Sequence, residues 1–266
     1  MPALLPRSPV SIALGAILIN LVRYALIAGP AFVLFHRLTP KRLLSRRLGP
    51  GPVSTVQARR ELFYSMLSLG IFGLTGVLMY ELSRAGLSRL YADDRHGPVW
   101  FVLSIPVMLV LHDTYFYWTH RFMHWKRVFK YFHRVHHLSH DPSPLAAYAF
   151  HPLEAIIEAG IAPLIALTLP VHRNAFILFL TVSLLINVTG HLGFELYPRG
   201  FLRSPLGWLF NTTTHHHQHH RKTNWNFGLY FNVWDRLMGT NHPEYAAAYE
   251  AATERPSESE DAPALT

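Results

Sequence analysis

The chain carries eighteen histidines and no cysteine. Any metal chemistry must therefore use imidazole nitrogen or carboxylate oxygen, and thiolate zinc sites, iron–sulfur clusters, disulfides and thiol nucleophiles are excluded. Most of the histidines fall in three short runs. In HDTYFYWTHRFMH, His120 and His124 are four apart and project from one face of a helix. HRVHH holds His133, His136 and His137, whose spacings of three and four again share a face. NTTTHHHQHHRKTNWNFG holds His216, His219 and His220 in the same H-x-x-H-H pattern. These eight imidazoles exceed what one zinc or iron needs, because a catalytic zinc uses about three protein ligands. Two ions with open positions are the economical reading, with His191 of NVTGH as a ninth ligand from a different helix.

Other uses of these residues have to be weighed. A purification tag sits at a terminus, whereas the third run is interrupted by Gln218 and continues into NWNFGLYFNVWD. A low-complexity metal sponge would explain that run but not the first two. His215 and His217 read as helix neighbours facing away from the site. His36, His96, His172 and His242 are isolated and read as surface or interfacial, while His112, His140 and His151 are close enough to support a site indirectly. A ligating histidine usually donates its other N–H to a carboxylate or carbonyl. Asp113, two turns before His120, is the expected partner, with an ion pair to Arg121 or Arg134 as the alternative. Asp235 is a further supporting candidate. Glu154 and Glu158 are more simply capping or paired groups than ligands, and Tyr115, Tyr117 and Trp118 an interfacial belt.

These residues need elements to hold them. Half of the chain is hydrophobic and only 15% is charged, with a net charge of +8; an ordinary soluble domain is nearer 25% charged. An all-α integral membrane bundle is predicted, with four to five spans: 11–35 (interrupted by Asn20 and Arg23), 62–82, 99–118, and a hairpin of 155–171 and 175–188 turned at Pro170 to Asn174. Residues 37–60 carry seven basic residues and no acid, so this loop is expected on the cytoplasmic side. Counting spans from there puts every histidine cluster on that same side, under a histidine-rich helical cap. The basic balance is thus loop charge, and no nucleic-acid partner is expected. The N-terminal MPALLPRSPV lacks the features of a signal peptide and is left in the mature chain. Residues 1–98 are read as N-terminal spans with the basic loop, 99–245 as the catalytic domain, and 246–266 as a disordered acidic tail.

The pattern D-x-x-x-Y-W-x-H-R-x-x-H, then two H-x-x-H-H motifs, the second followed by N-F-G and W-D-R-x-x-G-T, resembles the fatty acid hydroxylase/sterol desaturase superfamily over about 106–240. PSPLAAYAFHPLEAII and TTTHHHQHHRKTNWNFG are most similar to its sterol-modifying branch. The resemblance implies a membrane-bound non-haem di-iron oxygenase with a four-helix membrane part and a cytosolic cap. The ligands it implies are His120, His124, His133, His136, His137, His191, His216, His219 and His220. Where some relatives have a further histidine this chain has Asn187, so that Asn187 or a water takes the tenth place.

The chemistry follows from the donor set. A site made only of imidazoles suits iron or zinc. Two zincs would make a hydrolase of lipid esters, and a transporter would carry its histidines along a path through the spans. Two irons would use dioxygen as co-substrate to take hydrogen from an unactivated C–H bond, and a bilayer offers lipids, sterols and carotenoids for that. Zinc can replace iron in purified protein because it ranks above ferrous iron in affinity. Hydroxylation and desaturation begin alike, and both need electrons from outside. With no flavin fold, dinucleotide fingerprint or haem-binding domain in this sequence, a separate b-type cytochrome or ferredoxin with its reductase is expected. Lys126, Arg127 and Lys130 are a possible docking patch for it, or ordinary loop charge. The expected location is a bacterial inner membrane or the endoplasmic reticulum, with the histidines facing the cytoplasm.

Overall fold

The computed structural model describes residues 8–254 and is all-helical, with only isolated bridges and no strand among those residues. Four helices are long and apolar enough to cross a membrane: α1 (Pro9–Phe32, running on through a π-helical turn to Leu38), α2 (Thr55–Arg84), α3 (Gly97–Met123) and α8 (Arg173–Gly190). Their outward faces are apolar: Leu14, Leu18, Val22 and Leu26, one turn apart on α1, are all about half exposed or more. A stripe of that kind is untenable in water and natural against hydrocarbon, so the chain is a multi-pass membrane protein. Polar residues in the spans turn inward instead. Asn20 donates to the Ala16 carbonyl, and Arg23 donates to Asn20 Oδ1 and to the Leu180 carbonyl of α8.

Helices α1 and α2 approach closely because α2 carries glycine where they cross. A Cβ on Gly76 would lie 2.5 Å from the Ala16 Cβ, and one on Gly73 would lie 2.6 Å from Ile17. Small residues let membrane helices pack backbone to backbone. Gly76→Leu should therefore push the helices apart and cost about 1–3 kcal/mol. A lower thermal midpoint of the detergent-solubilised chain would show it, and an unchanged midpoint would contradict this packing.

The segment expected as one span at 155–171 is instead two eight-residue helices, α6 (Pro152–Ala159) and α7 (Ile161–Thr168). They meet at Gly160, where Tyr115 of α3 closes over the joint: its hydroxyl donates to the Ile157 carbonyl at 2.7 Å, and a Cβ on Gly160 would meet it at 2.5 Å. Each is too short to span, since about twenty residues are needed. The turn expected at Pro170 to Asn174 ends at His172, since Arg173 and Asn174 already belong to α8.

The polar cap is built from short helices: α4 (Lys126–Phe132), α5 (Arg134–His137), α9 (Pro205–Leu209), α10 (Thr213–Lys222), α11 (Val233–Leu237) and α12 (Tyr245–Glu254). The basic segment after α1 belongs to the same end of the bundle. Leu48 N–H donates to the Gly193 carbonyl, Glu195 N–H to the Arg46 carbonyl, and Arg60 to the Leu138 carbonyl. The opposite end is tied by Arg89 and Tyr91 to Ala166 and Val171.

The stretch from Ala246, expected to be disordered, is helical through Glu254. Tyr245, Tyr249 and Ala252 repeat at helical spacing and are buried, the Tyr249 hydroxyl donates to the Pro198 carbonyl, and Arg199 pairs with Glu254. Alanine-rich acidic composition hid a three-residue apolar face. The remainder of the expected tail, and the first seven residues bearing on the signal-peptide reading, lie outside the described residues.

Candidate metal centre

Nine histidines come together as two groups, His120, His124, His133, His137 and His219 in one and His136, His191, His216 and His220 in the other, with the donor nitrogens of each group within 4.8 Å of one another. The allocation follows helical geometry. Every pair four apart (120/124, 133/137, 216/220) stays in one group, while the middle histidine of each H-x-x-H-H, His136 or His219, crosses to the other. Each repeated motif therefore builds both groups. They are neighbours, with the His133 and His136 rings stacked at 5.2 Å and His137 and His220 at 4.9 Å.

The nitrogens facing each other are the Nε2 atoms. His137 and His219 are 3.1 Å apart, His120 and His133 are 2.9 Å apart, and His191 and His216 are 3.0 Å apart. In several of these rings Nδ1 faces an oxygen acceptor and must carry the proton. His120 donates to the Phe227 carbonyl at 2.8 Å, His219 to Trp225 at 2.7 Å, and His191 to Asn187 at 2.8 Å. His133 Nδ1 meets Glu154 Oε1 at 2.5 Å, and His137 Nδ1 meets the His220 carbonyl at 3.4 Å. His137 and His219 therefore face each other through bare Nε2 acceptors, and two bare acceptors cannot hydrogen-bond to each other. A shared cation satisfies them. Nitrogens about 2.1 Å from an ion and at right angles across it are about 3 Å apart, which is the spacing seen. The residues present fit metal ions.

Burial keeps these rings neutral, as ligands must be. It lowers His137 to about 3 and His191 to about 4 from the ordinary 6.5, with neighbouring rings adding to the effect in His137. His124, His133, His136, His216, His219 and His220 are held well below 6.5 for the same reasons. The unfolded chain takes up protons as pH falls through about 6.5, while the folded chain does not until near the lowered values. Stability is therefore unaffected above that range and lost as pH falls through it. The metal-free chain should melt at a lower temperature at about pH 5 than at about pH 7.5. A midpoint that rises on acidification would contradict neutral, buried rings.

Local folding explains how the third run is held. Helix α10 begins at the Thr212 cap, and the buried Glu195 carboxylate accepts from the Thr214 N–H and hydroxyl at 2.9 and 2.7 Å, an acid at a helix N-terminus. Its outer side is clamped by Asp141, which accepts from His217 Nε2 and Arg221 Nε, each at 2.9 Å. His215 lies 3.3 Å from Asp235, so the two extra histidines of the run do face away from the groups. After α10 the NWNFG stretch doubles back so that its Trp225 and Phe227 carbonyls orient His219 and His120. Asp235 pins that stretch by accepting from the Phe227 and Gly228 N–H groups at 2.9 and 2.7 Å. A Cβ on Gly228 would lie 2.7 Å from the Phe231 carbonyl, so glycine is required there.

Several expected roles are redistributed. Asp113 is not the partner of His120. It accepts from the Tyr230 and Phe231 N–H groups at 2.7 and 3.2 Å, because the Phe227 carbonyl already holds His120. The carboxylate that does orient a ring is Glu154, read in the sequence only as a capping or paired group; its place on the buried face of the short α6 is the signal. Arg121 donates to the Tyr117 hydroxyl and lies over Trp118, with no carboxylate among its contacts. Tyr117 is fully buried, its hydroxyl on Thr240, so it is no part of a belt, whereas Trp118 is 44% exposed. His36, expected to be surface or interfacial, is buried with Nε2 on the Leu192 carbonyl, and His112 is buried against Tyr230. His140 and His96 are exposed; His96 and His172 pack against the Tyr91 ring, tilted and edge-on, at the far end of the bundle, and His242 packs its ring on Trp225. His151 Nδ1 accepts from the Leu153 N–H at the start of α6. Asn187 turns its amide to the Ala147 carbonyl at 2.7 Å, one turn before His191.

Two cavities reach the groups. One, of about 330 Å³, is walled by His216, Asn187, Thr213, Tyr197 and Phe210. The other, of about 360 Å³, runs among the spans past Phe116 and Phe150. Those two rings lie 4.7 Å from His120 and 5.4 Å from His136. Asn187 and Leu229 border both cavities, which therefore adjoin one turn before His191.

The chain is 29% identical over 194 residues to lathosterol oxidase of Rattus norvegicus, covering 70% of this chain and 62% of the relative. It is 30% identical over 190 residues to lathosterol oxidase of Homo sapiens, covering 69% and 61%. Against a Delta(7)-sterol 5(6)-desaturase of Gibberella zeae it is 27% identical over 186 residues, covering 69% and 51%. The chain thus spans about three fifths or less of the length of these curated relatives. No solved structure matches it. Residues 105–240, about half of the chain and all nine clustered histidines, match the sequence profile of the family described as fatty acid hydroxylase, and the chain belongs to that family.

Proposed function

We propose that the chain is a membrane-bound, dioxygen-dependent di-iron oxidoreductase that hydroxylates or desaturates an unactivated C–H bond of a lipid, most like a sterol. The observation that carries the reading is the pair of histidine groups, neutral and convergent on Nε2, placed beside two adjoining cavities at the head of an apolar bundle. The names of the relatives, lathosterol oxidase and Delta(7)-sterol 5(6)-desaturase, favour a sterol over other lipids. When bound, two irons would supply the reductive activation of dioxygen and the removal of hydrogen from carbon.

The chain's own residues do the rest. The five-histidine group would hold one ion and the four-histidine group the other. The second group lacks a fifth imidazole because Asn187 occupies that turn of α8 with its amide committed to Ala147, so its open side faces the junction of the cavities. Phe116 and Phe150 exclude water from the inner cavity and present hydrocarbon to the centre. A lipid can therefore stay in an apolar environment while one carbon reaches the histidines. Electrons would come from a separate b-type cytochrome or ferredoxin. The shared end of the basic 37–60 loop and the histidines supports a cytoplasmic centre, in a bacterial inner membrane or the endoplasmic reticulum.

The test is to express the chain with a competent reductase, supply sterol, carotenoid and fatty-acyl pools, and examine lipids by mass spectrometry. The expected result is a sterol gaining one oxygen atom or losing two hydrogen atoms, only with dioxygen and not in His216→Ala. Ester cleavage without dioxygen would overturn the reading in favour of a zinc hydrolase.

A further inference from the structure

The inner cavity is walled by apolar side chains from α1, α2, α3, α6, α7 and α8, yet several polar groups on its wall, His112 Nε2, Glu158, Arg23 Nε and the Arg173 side chain, make no hydrogen bond among the described residues. His112 of α3 is 6% exposed, and its Nε2 has no hydrogen-bond partner. Glu158 of α6 lines the same cavity and makes no hydrogen bond among the described residues. Burial raises its carboxyl to about 8, so at neutral pH it keeps its proton and can both donate and accept. Burying polar atoms without partners costs several kcal/mol in an apolar medium, about 2–7 for a neutral group. Such atoms in a cavity are partnered by what fills it.

Their chemistry narrows the occupant. His112 Nδ1 meets the Tyr230 hydroxyl at 2.8 Å, and that hydroxyl also meets Ser183 Oγ at 2.6 Å. If the tyrosine proton points to Ser183, His112 Nδ1 is the donor and Nε2 is a bare acceptor; if it points to His112, Nε2 carries the proton. In either state the free nitrogen is satisfied by an alcohol, which donates and accepts. A carboxylate would bury a negative charge beside the Glu158 carboxyl in a mainly apolar cavity. Of the two arginines on the wall, Arg23 has its terminal nitrogens engaged by Asn20 and the Leu180 carbonyl, while Arg173 lies on the exposed side, so a carboxylate held by an arginine is the competing occupant that the binding test separates. Position also fits a substrate. His112 is two turns along α3 from His120, about 12 Å, and Glu158 one turn along α6 from Glu154, about 6 Å.

Building on the oxidase reading, we propose that His112 and Glu158 hold the hydroxyl group of an otherwise hydrocarbon substrate, one to two helical turns from the histidine groups, and so select alcohols over their deoxy and esterified forms. Ser183 and Tyr230 position His112 for this.

Binding tests it without turnover. Iron-loaded enzyme in nanodiscs is titrated with lathosterol, its 3-deoxy analogue and its acetate, and in parallel with hexadecanol and hexadecane. The expected result is at least about tenfold tighter binding of an alcohol than of its deoxy partner. Glu158→Leu and His112→Phe should each bring that ratio to within about twofold while iron content and deoxy binding are unchanged. Equal binding of alcohol and deoxy forms by the wild type overturns the proposal, as does an equal loss of both in the variants. Tighter binding of palmitate, dependent on Arg23 or Arg173, overturns it too, and so does no binding of any probe by iron-replete enzyme. Because no oxidation is needed, an inactive enzyme that still discriminates would sink the oxidase reading alone. An active one that does not discriminate would sink this proposal alone.

Discussion

His136→Ala should abolish lipid oxidation while leaving the chain in the membrane. Loss of a hydrogen-bond partner behind a ligand already costs about 10–100-fold in metal affinity or activity, and loss of the ligand itself should exceed that. His136 has no substitute: its Nε2 is 3.2 Å from His191, and it is the residue by which the HRVHH run reaches the four-histidine group. With Asn187 committed to Ala147, that group would keep three imidazoles. The membrane spans do not depend on it, so abundance in the membrane fraction should hold. His172→Ala removes a cap of α8 at the opposite end of the bundle, against Tyr91 and far from both histidine groups, so activity per membrane-bound chain should change less than about twofold. Comparable losses from both substitutions, measured as product per membrane-bound chain, would contradict the ligand assignment.

Glu154→Leu should be nearly as damaging, by a different route. Glu154 and His133 are both fully buried, and the carboxylate fixes the tautomer that leaves Nε2 free for a metal. Burial pushes the Glu154 carboxyl well above its usual range. A cation on the far side of His133 is what offsets the cost of a charge there. Leucine would leave His133 Nδ1 buried and unpaired, so the five-histidine group should bind metal about 10–100-fold more weakly. Glu154→Gln keeps an acceptor and should lose less. Metal titrations of the three proteins check the order, and equal affinity for wild type and Glu154→Leu would show that the pair plays no part in holding metal.

Much of this was legible in the residues. A charge-poor, hydrophobic chain gave the bundle, and histidines four apart gave the pairs that stay together, because helical spacing alone puts them on one face. The crossing of His136 and His219 between groups was not legible. It depends on how α5 and α10 face each other across the cap, a tertiary relation with no local pattern. The second partners failed for the same reason. Asp113 stands two turns from His120 on one helix, yet Phe227, more than a hundred residues away, takes that nitrogen. The NWNFG stretch reads as a motif, but its work is done by backbone carbonyls, which sequence does not display. The broken span at 155–171 shows the limit of hydropathy, since an apolar run says nothing of a close tyrosine at Gly160. The Tyr245–Tyr249–Ala252 face of α12 is three residues in an acidic stretch, too short a period to stand out from composition.

The most direct measurement is metal-dependent turnover by one preparation. The purified chain is stripped with chelator, reloaded with ferrous iron or with zinc, and given sterol and a competent reductant with and without dioxygen. The account predicts sterol oxidation only with iron and dioxygen together, at two irons per chain. Turnover by the zinc-loaded chain, or without dioxygen, would contradict it.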